Sequence, residues 1–238
     1  MINSVRDTVL SILNKNNYGY ISPSDFNLFA KQAQLEIFGG YATDLNKVIN
    51  AENARMSGTE YADLNKGVRE DIDIFSRTAT LTQDAANAYF TPSVTTTSDD
   101  YYLLNKVLAG GVEAEPVHHS KITLLNASPL TAPSVQYPAY TLDTGTGGAQ
   151  VATIYPATIT GANDVVCQYI RYPKDPKWTF SVLTNGEPVF NQSLPDYQDF
   201  EVPIDDEPRL IYRILQLAGM SIREGDVYQF ANAEEAQQ

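Results

Sequence analysis

Thr91-Pro92-Ser93-Val94-Thr95-Thr96-Thr97-Ser98 is the stretch at which the sequence changes its period. It is β-branched and turn-rich, and no helical face can be drawn through it. Upstream, apolar residues recur every three or four positions. Downstream they gather into short runs of Val, Ile, Thr, Tyr and Phe bounded by Gly, Pro or Asn. That switch predicts an α+β fold with an N-terminal antiparallel helical bundle over residues 1–90, a β-rich part over 91–204, and a C-terminal helix with an extended or helical tail over 205–238. The last part can pack as one domain with the first.

Reading back toward the start, Ile2, Val5, Val9, Ile12 and Leu13 share one helical face, and the turn-rich Asn14 to Gly19 ends it. A second helix opens at Ser22, whose hydroxyl suits an N-cap. Pro23 takes the first turn, where its missing N–H costs nothing, and Ser24 and Asp25 place acceptors at the positive end of the helix. Phe26, Phe29, Ala30, Ala33, Leu35, Ile37 and Phe38 continue it, and Gly39-Gly40 is expected to stop it. A further helix is expected from Asp44 through Leu45, Val48 and Ile49, and another between Thr59 and Phe75 through Tyr61, Leu64, Val68 and Ile72. Short links between these helices favour antiparallel neighbours.

Reading forward, strands are expected at Tyr101–Leu108, Ala139–Leu142, Val151–Tyr155, Val165–Tyr172 and Thr179–Leu183, with Asn185-Gly186 as a tight turn. Val117–Asn126 fits a strand or a short helix equally. Asp205 or Asp206 can cap a helix with Pro208 in its first turn and Leu210, Ile211, Ile214, Leu215 and Ala218 as its buried stripe, stopping at Gly219. A last helix from about Glu224 would carry Val227, Tyr228 and Phe230.

The chain has 238 residues, is 43% hydrophobic and 19% charged, and carries a net charge of −13. Enough apolar material is present for a core, and no basic face is available to release counterions from phosphate, so direct nucleic-acid binding is excluded. Residues 1–90 contribute −3, 91–186 contribute −2 and 187–238 contribute −8, which places most of the acidity in the last fifth. The first residues lack a leader pattern, and no window approaches the roughly 18 uninterrupted apolar residues of a membrane span. A chain that is neither secreted nor membrane-bound is expected. Cys167 is the only cysteine, so no intrachain disulfide can form, which suits a reducing cytoplasm.

Catalysis needs a constellation, and each candidate has a plainer reading. His118-His119 are sequence neighbours that would point to opposite faces of a strand, with no third ligand at helical spacing. Asp143-Thr144-Gly145 follows the apolar Tyr140-Thr141-Leu142, as in retroviral-type aspartic peptidases, yet that mechanism needs two aspartates sharing a proton, supplied by a dimer. The following Thr146-Gly147-Gly148-Ala149 reads as a loop and lacks the Lys-Ser or Lys-Thr of a phosphate loop. Cys167, flanked by apolar residues, reads as core. Asp99-Asp100, Asp205-Asp206 and Glu234-Glu235 read as caps and solvated acids before they read as cation ligands. No catalytic residue, metal or cofactor is therefore assigned.

Three blocks carry a resemblance. Tyr18-Gly19-Tyr20-Ile21-Ser22-Pro23-Ser24-Asp25-Phe26-Asn27 running into Ala33-Gln34-Leu35-Glu36-Ile37-Phe38 is the first. Tyr169-Ile170-Arg171-Tyr172-Pro173-Lys174-Asp175-Pro176-Lys177-Trp178 is the second, and Glu207-Pro208-Arg209-Leu210-Ile211-Tyr212 through Ala218-Gly219-Met220-Ser221-Ile222-Arg223-Glu224 the third. Together they resemble virion structural proteins of crAss-like bacteriophages, nearest in role to a ring or adaptor protein of the head-to-tail connector. The resemblance implies a non-enzymatic subunit of a short-tailed phage, made in the host bacterial cytoplasm and built into the virion as a twelvefold ring below the portal. It implies copies of the chain, the portal and other connector or tail proteins as partners, and a C-terminal segment that grips the portal or a neighbouring subunit. The matching positions are Val227, Tyr228, Gln229, Phe230 and Ala231. An acidic channel wall would let DNA pass without holding it, and the Tyr-rich composition would suit subunit interfaces. Two other classes stay open on the residues alone: a homodimeric aspartic hydrolase using Asp143, and a cytoplasmic binding module for a basic partner.

Overall fold

The computed structural model describes residues 1–14, 21–55, 64–97 and 99–222. The fold is α+β. The chain forms two compact units, one of residues 1–74 with 173–238 and one of residues 75–172.

In the first unit, α1 (Ile2–Asn14) and α2 (Pro23–Arg55) each pack on α6 (Glu207–Ile222), and α3 (Leu64–Asp73) packs on α2. Ile2, Val5, Val9 and Leu13 are buried on α1, as are Leu210, Ile214, Leu215 and Ala218 on α6, so both expected stripes are the ones that face inward. The Ser22 hydroxyl accepts the Asp25 amide at 3.2 Å and caps α2. Gly39-Gly40 does not end that helix. Neither glycine adopts a positive φ, and the two helices expected on either side of the pair are one continuous element. Without the turn there, the antiparallel pair expected between those segments does not form. Tyr61, on the expected fourth helix, lies outside the described residues, as does everything beyond Ile222.

Residues 173–206 join this unit as a largely irregular segment pinned by two side-chain amides, Gln34 and Asn27. Gln34, 1% exposed, donates to the Lys174 carbonyl at 2.8 Å and accepts from the Glu201 amide at 3.1 Å. Asn27 does the same for one residue, accepting from the Trp178 amide at 2.8 Å and donating to its carbonyl at 3.2 Å. Trp178 is buried, with the Arg6 guanidinium 3.8 Å from its ring centroid and its indole N–H on the Asn3 side chain.

The second unit is one sheet of β1 (Ser76–Thr80), β2 (Gln83–Ala85), β3 (Ala88–Phe90), β4 (Tyr101–Ala109), β5 (Val112–Pro116), β6 (Ala139–Thr144), β7 (Gln150–Tyr155) and β8 (Val165–Arg171). Their spatial order is β1-β8-β4-β5-β6-β7-β3-β2, with only β5 and β6 parallel. The first β residues are therefore at Ser76, before the expected change at Thr91, and the irregular Thr91-Pro92-Ser93 leads into a single helical turn, α4 (Val94–Thr97). The order has a geometric consequence. β1 and β2 are the two outermost strands, yet only Leu81 and Thr82 separate them, so their ends stand at most about 11 Å apart. In a flat sheet of eight strands the edges would be about 33 Å apart. The sheet must roll into a barrel, and residues 76–85 act as one bent strand across the seam. The Leu81 amide binds the Val165 carbonyl of β8, while the Thr82 carbonyl accepts the Phe90 amide of β3.

The barrel interior is filled by Leu81, Tyr89, Val107, Ala109, Ala114, Tyr140, Ala152, Ile154, Val165, Cys167 and Tyr169, which come from both edges and the centre of the sheet. Gly110-Gly111, both at positive φ, make the two-residue turn between β4 and β5. The ambiguous segment Val117–Asn126 takes the helical alternative: β5 ends before it at Pro116, and α5 (His119–Asn126) covers the barrel wall through Ile122 against Val117 and Ala139.

Candidate functional site

The structure brings together two residues that the sequence holds 24 positions apart, His119 and Asp143. His119 is the first residue of α5 and Asp143 lies near the end of β6; Nδ1 of the imidazole is 3.0 Å from Oδ1 of the carboxylate. The other oxygen, Oδ2, accepts the hydroxyls of Thr141 at 2.9 Å and Thr153 at 3.0 Å. The strand register makes this set: Thr141 and Asp143 are two apart on β6, and Thr153 is paired opposite Thr141 on β7. His119 is largely exposed, and no hydroxyl or thiol among the described residues hydrogen-bonds its Nε2. The arrangement pins α5 to β6.

An aspartic dyad does not fit easily on this carboxylate. A second aspartate brought by a partner copy would have to displace His119. Gly145 has its own structural reason, since a Cβ there would stand 2.4 Å from Val151 and 2.7 Å from the Asp84 carboxylate, which holds the Thr146 amide at 3.1 Å.

The remaining chemical candidates fall into separate places. Cys167 is fully buried in the barrel, and burial pushes its thiol up to about 11. Asp206 turns its carboxylate to the Tyr41 hydroxyl at 2.5 Å and does not cap α6 with its side chain, a correction to the capping expectation. Burial, reinforced by Asp206, raises the Tyr41 phenol, and burial with Asp206, Asp205 and Glu70 nearby raises the Asp71 carboxyl. Asp99 and Asp100 offer their backbone carbonyls to Thr97 and Tyr172. Glu234-Glu235 lies outside the described residues. Among the described residues, no three of His, Cys, Asp and Glu are grouped to hold a metal, and no helix is long and apolar enough to cross a membrane.

What the surface offers instead is apolar material on short projections. The hairpin of β9 (Phe180–Val182) and β10 (Pro188–Phe190) in the first unit exposes Val182 at 63% and Leu183 at 52%. In the second unit, the turns after α5 expose Leu130 at 95% and Tyr137 at 79%. Phe90, Thr91, Tyr101, Gln150 and Tyr172 line an open groove of about 620 Å3 on that unit. The five residues singled out for partner binding, Val227, Tyr228, Gln229, Phe230 and Ala231, lie outside the described residues. Single apolar residues among turn formers carry no period, so the sequence pattern does not mark these projections. For the hairpin, Asn185-Gly186 was the available signal, and Gly186 does take a positive φ there.

Compared with protein-family models and with curated proteins, the chain matches none.

Proposed function

We propose that the chain is a non-enzymatic virion structural protein, a ring or adaptor subunit of a phage head-to-tail connector that joins portal to tail. The observation that carries this reading is the placement of exposed apolar side chains on projections of both units: Val182 and Leu183 on the hairpin, Leu130 and Tyr137 after α5. Isolated apolar residues on a surface mean little, but large ones raised on turns are side chains that a neighbour would cover. A subunit that meets its neighbours through two different surfaces needs such material on more than one side. The blocks that resemble crAss-like connector proteins give the class of assembly. In it the chain contacts copies of itself, the portal and further connector or tail proteins, with Val227, Tyr228, Gln229, Phe230 and Ala231 in the contact. DNA passes the acidic subunits without being held, and no membrane is involved.

Negative-stain imaging of the full chain mixed with its portal tests the reading. The expected result is a closed ring seated on the portal. A chain that stays separate from the portal at every protein concentration would overturn it.

A further inference from the structure

The hairpin of β9 and β10 has one closed edge and one open edge. Leu183 and Glu187 are hydrogen-bonded across it, as are Asn191 and Thr179, so by alternation Ser181 and Val189 are the bonded pair between them. Phe180 and Val182 therefore turn their amides and carbonyls outward on β9. The same outward line begins at Trp178, where the Asn27 side chain occupies both backbone groups in place of a neighbouring strand. Nothing among the described residues takes over that role at Phe180 and Val182. On the other edge the outward position opposite Val182 is Pro188, which has no N–H to offer. One edge is blocked and the other is left as a template.

We propose that the outer edge of β9 pairs with the same edge of a second copy of this chain, antiparallel and centred on Ser181. The edge is self-complementary. Centred there, Phe180 of each copy faces Val182 of the other, and both pairs are of the hydrogen-bonded kind, using the four backbone groups each edge exposes. Aromatic against β-branched is a favourable cross-strand pair. Phe180 and Val182 also share their face with Phe190 and Pro188, so the apolar stripe that begins at the Trp178–Phe180 stack, with ring centroids 5.6 Å apart, continues into the partner's stripe. Charge favours this contact over others on the same chain. Between Trp178 and Phe190 only Glu187 is charged, in a molecule of net charge −13.

The area sets the strength. Three residues a side bury well under the roughly 1,200 Å2 of a stable interface, so the pair is weak and concentration-dependent. Two chains of like charge repel at a distance, so added salt strengthens it. An isologous contact closes on two copies and does not propagate a ring. The pairing is thus a property of the free chain, and its test is separate from that of portal binding.

Ser181→Cys in the full chain reads the register. Directly opposite residues of a non-hydrogen-bonded pair stand about 4.5 Å apart between Cα atoms, within disulfide range. Mild oxidation is expected to give a disulfide dimer, more of it at high salt and high protein concentration. Val189→Cys, on the other strand, is expected to stay monomeric. Adding Val182→Pro to Ser181→Cys removes an outward amide while sparing the inner bonds, as Pro188 already does opposite, and is expected to cut dimer yield at least several-fold. Val182→Lys, which leaves the backbone intact, is expected to do the same by placing like charges on the shared stripe. Absence of a Ser181→Cys dimer, equal cross-linking through Val189→Cys, or indifference to both Val182 changes in folded protein would each overturn the proposal.

Discussion

Arg209 of α6 reaches across α2 so that its Nη2 stands 3.0 Å from the point where a Cβ on Gly40 would lie, while the same point on Gly39 has nothing within 4 Å. The two adjacent glycines therefore have different reasons to be there. Gly40 makes room for a guanidinium whose Nη1 is 3.6 Å from Asp44, one turn along the same helix. Gly39 makes room for nothing. Neighbouring contacts add to this seam: Arg213 binds Glu36, and Tyr41 binds Asp206. Packing along α6 keeps α2 continuous through a pair that local propensity would break.

Gly39→Ala is accordingly expected to stabilise the fold by about 0.5–1 kcal/mol, the ordinary helix-interior difference between the two residues. Gly40→Ala gains the same propensity but must move the flexible end of Arg209 and weaken its half-exposed ion pair, so its net effect is expected within about 0.5 kcal/mol of zero. Urea denaturation of the two variants side by side checks this. Equal stabilisation by both would show that the Arg209 contact does not matter.

This seam marks how far the sequence could be read. The apolar stripes of α1 and α6 and the interior strands β4, β6, β7 and β8 were legible, because each is long enough to show its own period. β1, β2 and β3 were not: the exposed Arg77 and Thr78 and the short Gln83–Ala85 and Ala88–Phe90 carry no alternation, and only closure of the barrel makes them strands. Gly110-Gly111, adjacent glycines between two apolar runs, is the sequence mark of the β4–β5 turn. The His119–Asp143 contact could not have been found by spacing, since α5 and β6 meet only through the folding of the barrel wall.

Thr141 is 1% exposed, and its hydroxyl donates to Asp143. Removing the acceptor leaves that buried hydroxyl alone, so Asp143→Ala is expected to cost about 1–3 kcal/mol. Asp143→Asn keeps one acceptor oxygen and is expected to cost less. His119→Ala breaks only an exposed contact, for about 0–1 kcal/mol. Thermal unfolding should rank the three in that order, and a His119→Ala variant as damaged as Asp143→Ala would mean the imidazole carries the site.

Cys167 inside the barrel should be silent. With its thiol pushed up to about 11, roughly a thousandth is thiolate at pH 8, before access is considered. A thiol reagent is expected to leave native protein unmodified for hours and to titrate one equivalent in denaturant. Rapid labelling of folded protein would contradict the filled interior.

Asp199 tethers the start of α1, accepting the Ile2 amide at 2.7 Å and the Phe200 amide at 2.8 Å, with the Met1 ammonium at 3.1 Å. Burial raises its carboxyl, and these donors together outweigh burial and hold it below the usual range. A depressed carboxyl contributes stability above its unfolded value, near 3.9, and loses it as pH falls through the folded value. Asp199→Asn is therefore expected to lower stability by about 1 kcal/mol at pH 7, in line with loss of a helix cap. Below about pH 3 the difference from the parent chain should shrink. A gap that stays constant from pH 7 to pH 2.5 would rule out ionisation of Asp199 as its source.

Asn27 is the side chain that substitutes for a strand beside Trp178. Asn27→Ala would leave the amide and carbonyl of a residue only 2% exposed without partners, at an expected cost of about 1–3 kcal/mol. Asn27→Asp keeps an acceptor for the amide but sets a carboxylate against the carbonyl, so it should be no less damaging. Trp178 is the only tryptophan, and its fluorescence reports on this site directly. Both variants are expected to shift its emission to the red and to unfold at lower urea than the parent chain. If Asn27→Asp matched the parent in emission and midpoint, the donor half of the clamp would be dispensable, and the acceptor on the Trp178 amide, with the Asn3, Arg6 and Phe180 contacts, would suffice to hold the root of the hairpin.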